Sequence, residues 1–87
     1  SALLKSNSNK ELWFKGQDVI VHAKSIITAK NLEEIEIYYI DDGVMTSTVT
    51  AKKAEYYDNN WNLIDAEITD ITNNRIFKEK SLNISTE

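Results

Sequence analysis

The stretch TAKKAEYYDNNWNLIDAEIT, which spans Thr50–Thr69, decides the fold of this 87-residue chain. Its first half, AKKAEYY, could begin a helix, but its second half alternates apolar and polar residues from Trp61 onward, as a half-buried strand does. Between the halves, Asp58-Asn59-Asn60 supplies residue types that tolerate a positive φ angle and favour turns. We therefore interpret the stretch as two strands joined by a tight turn.

The small residues of the first half indicate a strand with a local irregularity. Ala51, Ala54 and Tyr56 do not keep a strict period of two, so we expect a β-bulge near Lys52-Lys53. The other helix candidate is ITAKNLEEI (27–35), but no apolar repeat with a period of 3.6 residues persists along the chain.

Alternating runs and turns recur along the rest of the chain. LEEIEIYYI places Ile35, Ile37 and Tyr39 on one face, and in the β-branched run VMTSTVTA Met45 falls in phase with Val49. The sequence therefore predicts an all-β fold, an antiparallel meander. The expected turns are Gly16-Gln17-Asp18, Asp41-Asp42-Gly43, Asp58-Asn59-Asn60 and Asn73-Asn74.

Composition fits one small globular domain and excludes several functions. The net charge is −4, so the basic face needed for nucleic-acid binding or for a polybasic membrane patch is missing. No run approaches 18 consecutive apolar residues, the length that a transmembrane helix requires. We expect residues 1–11 to be a disordered, linker or tag-derived segment and residues 12–87 to form the domain.

No arrangement of residues typical of an enzyme is found. His22 is the single histidine, and we expect it to be a partly buried or surface side chain without a catalytic partner. There is no cysteine, no metalloprotease motif and no glycine-rich phosphate loop. The acidic turns at Asp41-Asp42 and Asp58 supply too few oxygen ligands for a calcium site. We therefore predict no catalytic residue, no cofactor and no metal.

The aromatic residues leave two interpretations open. Trp13, Phe14, Trp61 and Phe77 are spread over several predicted strands, together with four tyrosines. They could pack as an ordinary core, or they could line an apolar lumen that holds a lipid or a sugar. Composition alone does not separate these alternatives.

From Leu12 onward the chain resembles the periplasmic domain of the lipopolysaccharide-export permeases, the YjgP/YjgQ family, also called LptF and LptG. The shared pattern consists of a Leu-Trp opening, a hairpin with Asp-Asp-Gly, a Thr-Ala-x-x-Ala-x-Tyr segment and a Trp-x-Leu-x-Asp segment. It covers about residues 12–72, and its YYIDD hairpin is closer to the LptG type than to the LptF type. In this sequence the segments are Leu12-Trp13, Ile35–Gly43, Thr50–Tyr56 and Trp61–Asp65.

The resemblance implies a fold and a transport function. It implies an antiparallel β-jellyroll, or open two-sheet sandwich similar to LptA, that faces the periplasm as part of an integral inner-membrane protein. Permease pairs of this family work with a cytoplasmic ATPase, so this chain would not itself be an enzyme. Their jellyrolls join those of LptC and LptA, and the resulting groove shields the acyl chains of lipopolysaccharide.

The resemblance also suggests which residues line the groove and which strand edges are exposed. Terminal segments around Leu12–Phe14 and Arg75–Ile84 are the expected exposed edges. His22 stands where an apolar residue is expected, and the chain after Ile71 does not align with the family pattern. The predicted lining residues are Ile35, Ile37, Tyr39, Met45, Val49, Ala51, Trp61, Leu63 and Ile68.

Two other classes of function are compatible with a small β domain. One is a carbohydrate- or protein-binding β-sandwich of a surface or secreted protein, which would carry a cluster of Tyr and Trp on an outer face. The other is a small esterase-like or metal-dependent enzyme, which would need the reactive residues that this sequence lacks.

Overall fold

A computed structural model of the chain describes residues 10–85. Within them the fold is all-β and antiparallel, as the sequence predicts, and neither helix candidate forms a helix. The six strands form one open sheet in the order of the sequence, so each strand is bonded to its neighbours in the chain. They are β1 (Leu12–Lys15), β2 (Val19–Thr28), β3 (Asn31–Asp41), β4 (Val44–Tyr57), β5 (Asn60–Asp70) and β6 (Arg75–Ser85).

Tight turns close the hairpins where the sequence predicts them. Asp42 and Gly43 have φ angles of 51° and 78°, and Asp58 and Asn59 have φ angles of 54° and 62°. Two consecutive residues with positive φ match the twist of the flanking strands, which is why Asp, Asn and Gly occupy these positions. In the longer turn after β5, Asp70 accepts hydrogen bonds from the backbone and side-chain nitrogens of Asn73.

One turn has no signal in the sequence. β2 and β3 are joined at Ala29-Lys30, inside the helix candidate at 27–35. The hydroxyl of Thr28 accepts hydrogen bonds from the Lys30 backbone N–H at 3.1 Å and from the Asn31 side chain at 3.0 Å. The threonine hydroxyl thus stabilises this turn by accepting hydrogen bonds, whereas Asp, Asn and Gly in the other turns tolerate a positive φ angle.

A transverse line of unpaired residues crosses the sheet from β2 to β6. At this line, which we call the crease, one residue in each strand is skipped by the pairing while the register on both sides is unchanged. Two of the skipped residues, Glu34 and Asp65, have a φ angle of 54°. The crease residues are Lys24, Glu34, Lys52, Asp65 and Lys80.

At the crease, the alternation of side chains between the two faces of the sheet is reversed. In β4, Ala51 and Ala54 are both buried although three positions separate them, and Lys52 and Lys53 between them are both exposed. The irregularity expected in this segment is therefore present, but no extra residue is inserted between β4 and β5, so it is not a bulge. One skipped pair between neighbouring strands reverses the alternation of side chains between the two faces but leaves the pairing register unchanged.

No helix in residues 10–85 could cross a membrane, since these residues contain no helix. The segment expected to be disordered, 1–11, falls mostly on residues 1–9, which lie outside the described part of the chain. Lys10 and Glu11 are described, and the Lys10 carbonyl accepts a hydrogen bond from the Ile26 backbone N–H at 3.0 Å.

The left-handed conformation at the crease predicts opposite effects of glycine at Glu34, a crease residue, and at Glu67, an ordinary position of β5. Glycine adopts a positive φ without steric cost, whereas it weakens an ordinary strand position. We expect Glu34→Gly to be more stable than Glu67→Gly by about 1–2 kcal/mol, measured by urea unfolding. Equal stabilities of the two variants would show that Glu34 is not held in a left-handed conformation.

Candidate functional site

Apolar side chains from all six strands form one continuous surface, which we call the apolar face. Its nine buried residues are at most 7% exposed, and they are Ala23, Leu32, Ile35, Ile37, Val49, Ala51, Ala54, Leu63 and Ala66. The partly buried residues packed against them are Leu12, Val19, Val21, Ile26, Tyr39, Trp61, Ile68, Leu82 and Ile84.

No second sheet covers the apolar face within residues 10–85. All six strands belong to one sheet, and each is hydrogen-bonded only to the strands next to it in the sequence. The nine central side chains are buried, while larger residues at the margin of the cluster, such as Tyr39, Trp61 and Ile68, stay partly accessible. Accessible large apolar side chains beside a buried cluster are a candidate binding site.

Small side chains border the crease on the apolar side. Ala23, Ala51, Ala54 and Ala66 each lie next to a crease residue or within two positions of one, and all are buried. Because alanine is small, these positions place little side-chain volume beside the skipped pairs.

Eight of the nine residues predicted to line a groove belong to the apolar face. Met45 is the exception, because it is 41% exposed and lies outside the cluster. The pairing of β3 with β4 shifts register next to Tyr39 and Ile40, so Met45 pairs with Ile40 instead of continuing the phase of Val49. The alternation of side chains that placed Met45 on the same face as Val49 is interrupted at that bulge.

Several residues of the apolar face were missed by the sequence reasoning. Leu32 and Ala54, which pair with each other on the far side of the crease, were missed, and so was Leu82, which pairs there with the correctly predicted Leu63. Strict alternation from Ile35 assigns Leu32 to the opposite face, so the phase reversal hides it. The signal that could have found these residues is the recurrence of an out-of-phase apolar residue in several strands.

Both edges of the sheet are open and lie where the sequence predicts them. β1 and β6 are the outer strands, and each pairs on one side alone within the described residues. β6 is 11 residues long and β1 only 4. Unpaired backbone groups along a strand of such length can accept a further strand.

On the opposite side of the sheet, which we call the charged face, a groove of about 730 Å³ follows the crease. Four lysines and five carboxylates line it, and Thr50, Ile35, Ala51 and Ala66 complete its lining. The near balance of charges favours neither an anionic nor a cationic ligand. The apolar face is therefore the stronger candidate for a functional site.

His22 lies on this charged face and not among the apolar residues. It is 7% exposed, its ring stacks on that of Trp13 with the centroids 4.0 Å apart, and it pairs with Glu36 across β2 and β3. Hydrogen bonds to Glu36 and to Glu11 raise the pKa of His22 above 6.5. The hydrogen bond from His22 is also the largest cause that lowers the pKa of Glu36.

Comparison with known protein families identifies the family of this chain. A sequence model of the lipopolysaccharide export system permease LptF/LptG matches residues 1–87. The chain belongs to the LptF/LptG family. A search of curated proteins finds no match.

Membership of the LptF/LptG family confirms the resemblance carried by the Leu-Trp opening and the hairpins. The LptF/LptG proteins are inner-membrane permeases of lipopolysaccharide export and are not enzymes by themselves. The matching family description includes both types, so it does not distinguish LptG from LptF.

Truncation of a buried residue on the apolar face should destabilise this LptF/LptG domain. Leu63 is 2% exposed, so we expect Leu63→Ala to lower the free energy of unfolding by about 2–5 kcal/mol. Ile76 is 65% exposed, and Ile76→Ala should change it by less than about 0.5 kcal/mol. Urea unfolding measures both, and a loss below about 1 kcal/mol for Leu63→Ala would show that this face is not packed.

Proposed function

We propose that the apolar face shields the acyl chains of lipopolysaccharide while the molecule passes from the inner toward the outer membrane. The observation that carries this proposal is a continuous apolar cluster on a single sheet, with contributions from all six strands, at which large side chains such as Tyr39, Trp61 and Ile68 stay partly accessible. Lipopolysaccharide is the substrate of the family, and its acyl chains are the part that must be kept from water.

The energetics favour an acyl chain over a polar ligand at this face. Each buried methylene contributes about 0.8 kcal/mol, so contact with a few carbons already gives useful affinity. Tyr39, Trp61 and Ile68 are partly accessible and offer large apolar surfaces to such a chain. Trp61 also contacts Tyr56, with ring centroids 5.1 Å apart, which holds its ring as one wall of the proposed groove.

Buried alanines limit how deep the groove can be. Ala51 and Ala66 pair with each other in the middle of the sheet, next to the crease. Their small side chains take up little space in the middle of the face, and the predicted lining residues Ile35, Ile37 and Leu63 beside them are buried. We therefore propose a shallow groove along the apolar face, with the partly accessible lining residues Tyr39, Trp61 and Ile68 as its main contacts.

The two open edges are the proposed docking sites for neighbouring jellyrolls. Addition of a strand at β1 or β6 would continue both the sheet and its apolar face into the next domain. Partners of this kind are the LptC and LptA type of the family. Edge-to-edge docking would produce one continuous path for the acyl chains.

The remaining parts of the system are proposed to lie outside this domain. Residues 12–87 would form a jellyroll on the periplasmic face of the inner membrane, and the membrane-embedded parts would belong to the full-length permease. ATP hydrolysis would take place on a separate cytoplasmic subunit, paired with this permease and a second one. The domain itself would bind the acyl chains of lipopolysaccharide and guide them toward the next domain.

Adjacent residues on β5 provide a test of lipid binding. Ile68 belongs to the apolar face, whereas Glu67 points to the charged face and lines the groove there. We expect a photo-crosslinking amino acid at position 68 to capture lipopolysaccharide added to the purified chain, and the same group at position 67 not to. Capture from position 67 alone would place the lipid on the wrong face and overturn the proposal.

Docking at the edge can be tested with two residues of one transverse row. Thr50 and Lys78 both pair with Glu67, so all three lie on the same face, but Lys78 is on the edge strand β6 and Thr50 is on β4. A photo-crosslinker at position 78 should capture an added LptC-type or LptA-type jellyroll, and one at position 50 should not. Equal capture from both positions would indicate contact through the face and not through the edge.

A further inference from the structure

We propose that Glu11, Trp13, His22 and Glu36 form a proton-dependent clasp, which holds the edge strand β1 on the sheet at lower pH and loosens it as the pH rises. This inference concerns the attachment of β1 and holds whether or not the apolar face binds lipid. Its basis is the arrangement of two carboxylates and one indole around a single buried histidine.

Both nitrogens of the His22 ring are engaged by carboxylates from different parts of the sheet. The Nε2 atom lies 2.6 Å from Oε2 of Glu11, which directly precedes β1. The Nδ1 atom lies 3.0 Å from Oε1 of Glu36 on β3. The histidine on β2 therefore links the segment leading into β1 with the interior of the sheet.

Only the protonated ring satisfies both contacts. An imidazolium has two N–H donors, whereas a neutral imidazole has one N–H and one lone pair. When His22 is neutral, one carboxylate faces that lone pair and loses its hydrogen bond. The indole of Trp13 stacks on the ring, with an interplanar angle of 16°, and a cation stacked on an aromatic face is also favourable.

The neighbouring charges keep Glu36 ionised, so His22 is the group of this pair that gains or loses a proton. Among the described residues, the groups that act on this pair are the Glu11 and Glu36 carboxylates, Lys24 on β2 and the Tyr38 hydroxyl on β3. Hydrogen bonds from His22 and Tyr38, with the charge of Lys24, lower the pKa of Glu36. Glu36 therefore stays ionised across the pH range in which His22 loses its proton.

The direction of the pH effect follows from the raised pKa of His22. A group whose pKa is higher in the docked state contributes its full stabilisation below its ordinary value of 6.5, and loses it as the pH rises through the docked value. The clasp should thus be closed in mildly acidic solution and open progressively above the pKa of docked His22.

Among the described residues, few other contacts hold β1 in place. It is 4 residues long and pairs there with β2 alone, and the segment before it adds one backbone hydrogen bond, from the Ile26 N–H to the Lys10 carbonyl. Leu12 packs against the apolar face, but Trp13 and Phe14 remain 63% and 56% exposed. Loosening of β1 would uncover the backbone edge of β2 over Ile20–Ala23, so the clasp would control which strand is available to a docking partner.

Nuclear magnetic resonance of the 87-residue chain tests the clasp directly, because His22 is its single histidine. The ring resonances give the pKa of His22, and amide hydrogen exchange between pH 5.5 and 8.5 gives the protection of β1. After correction for intrinsic exchange rates, we expect β1 protection to fall as His22 deprotonates while β4 and β5 amides stay protected. Each unit of raised pKa corresponds to about a tenfold loss of protection.

Glutamine substitutions supply the matched variants. Glu11→Gln keeps the size of the side chain but removes one carboxylate, so it should lower the pKa of His22 and flatten the pH dependence of β1 protection. Glu67→Gln, on β5 of the charged face, should change neither the pKa of His22 nor the pH dependence of β1 protection. Equal β1 protection on both sides of the His22 titration, or an unaltered pKa in Glu11→Gln, would overturn the proposal.

Discussion

The reversal of side-chain phase at the crease is the constraint on which the rest of the structure depends. In an uninterrupted strand, residues three positions apart face opposite sides of the sheet. Leu32 and Ile35 are three apart in β3, and Leu63 and Ala66 are three apart in β5, yet all four are buried on the apolar face. A skipped pair at the intervening position corrects the phase in each strand, and the two halves of the sheet therefore share one apolar face.

The same constraint shows which parts of the fold could be predicted from the sequence. Alternation and turn chemistry are properties of single segments, so β3, β4, β5 and the turns at Asp42-Gly43 and Asp58-Asn59 were predicted correctly. The crease is a property of neighbouring strands taken together, because each skipped residue lies beside another one. In the sequence of β4 alone, it looks like a bulge.

In the candidate site, too, features that depend on a single segment could be predicted, and features that depend on several strands could not. Ile37 and Val49 could be assigned to the apolar face from alternation, whereas Met45 was misplaced because a register shift with β3 intervenes. The environment of His22 could not be predicted, since its carboxylates come from Glu11 and Glu36, on two other segments. Only the register of β1, β2 and β3 brings these groups to one histidine.

Family membership gives these features a common setting. The function proposed for this domain of an LptF/LptG permease would need a surface open to apolar contact and a boundary that other sheets can join. A single sheet could supply both, because Tyr39, Trp61 and Ile68 stay partly accessible on its apolar face and its outer strands β1 and β6 each pair on one side alone within the described residues. A closed barrel or a fully packed sandwich would offer neither.

The strand order has a consequence for folding and for local stability. Every strand pairs with its neighbour in the sequence, so the chain can fold by adding one hairpin to the next. Loss of an edge strand removes one interface and leaves the others intact, whereas loss of β3 or β4 divides the sheet in two. Local unfolding should therefore begin at the edges of the sheet and reach β3 and β4 last.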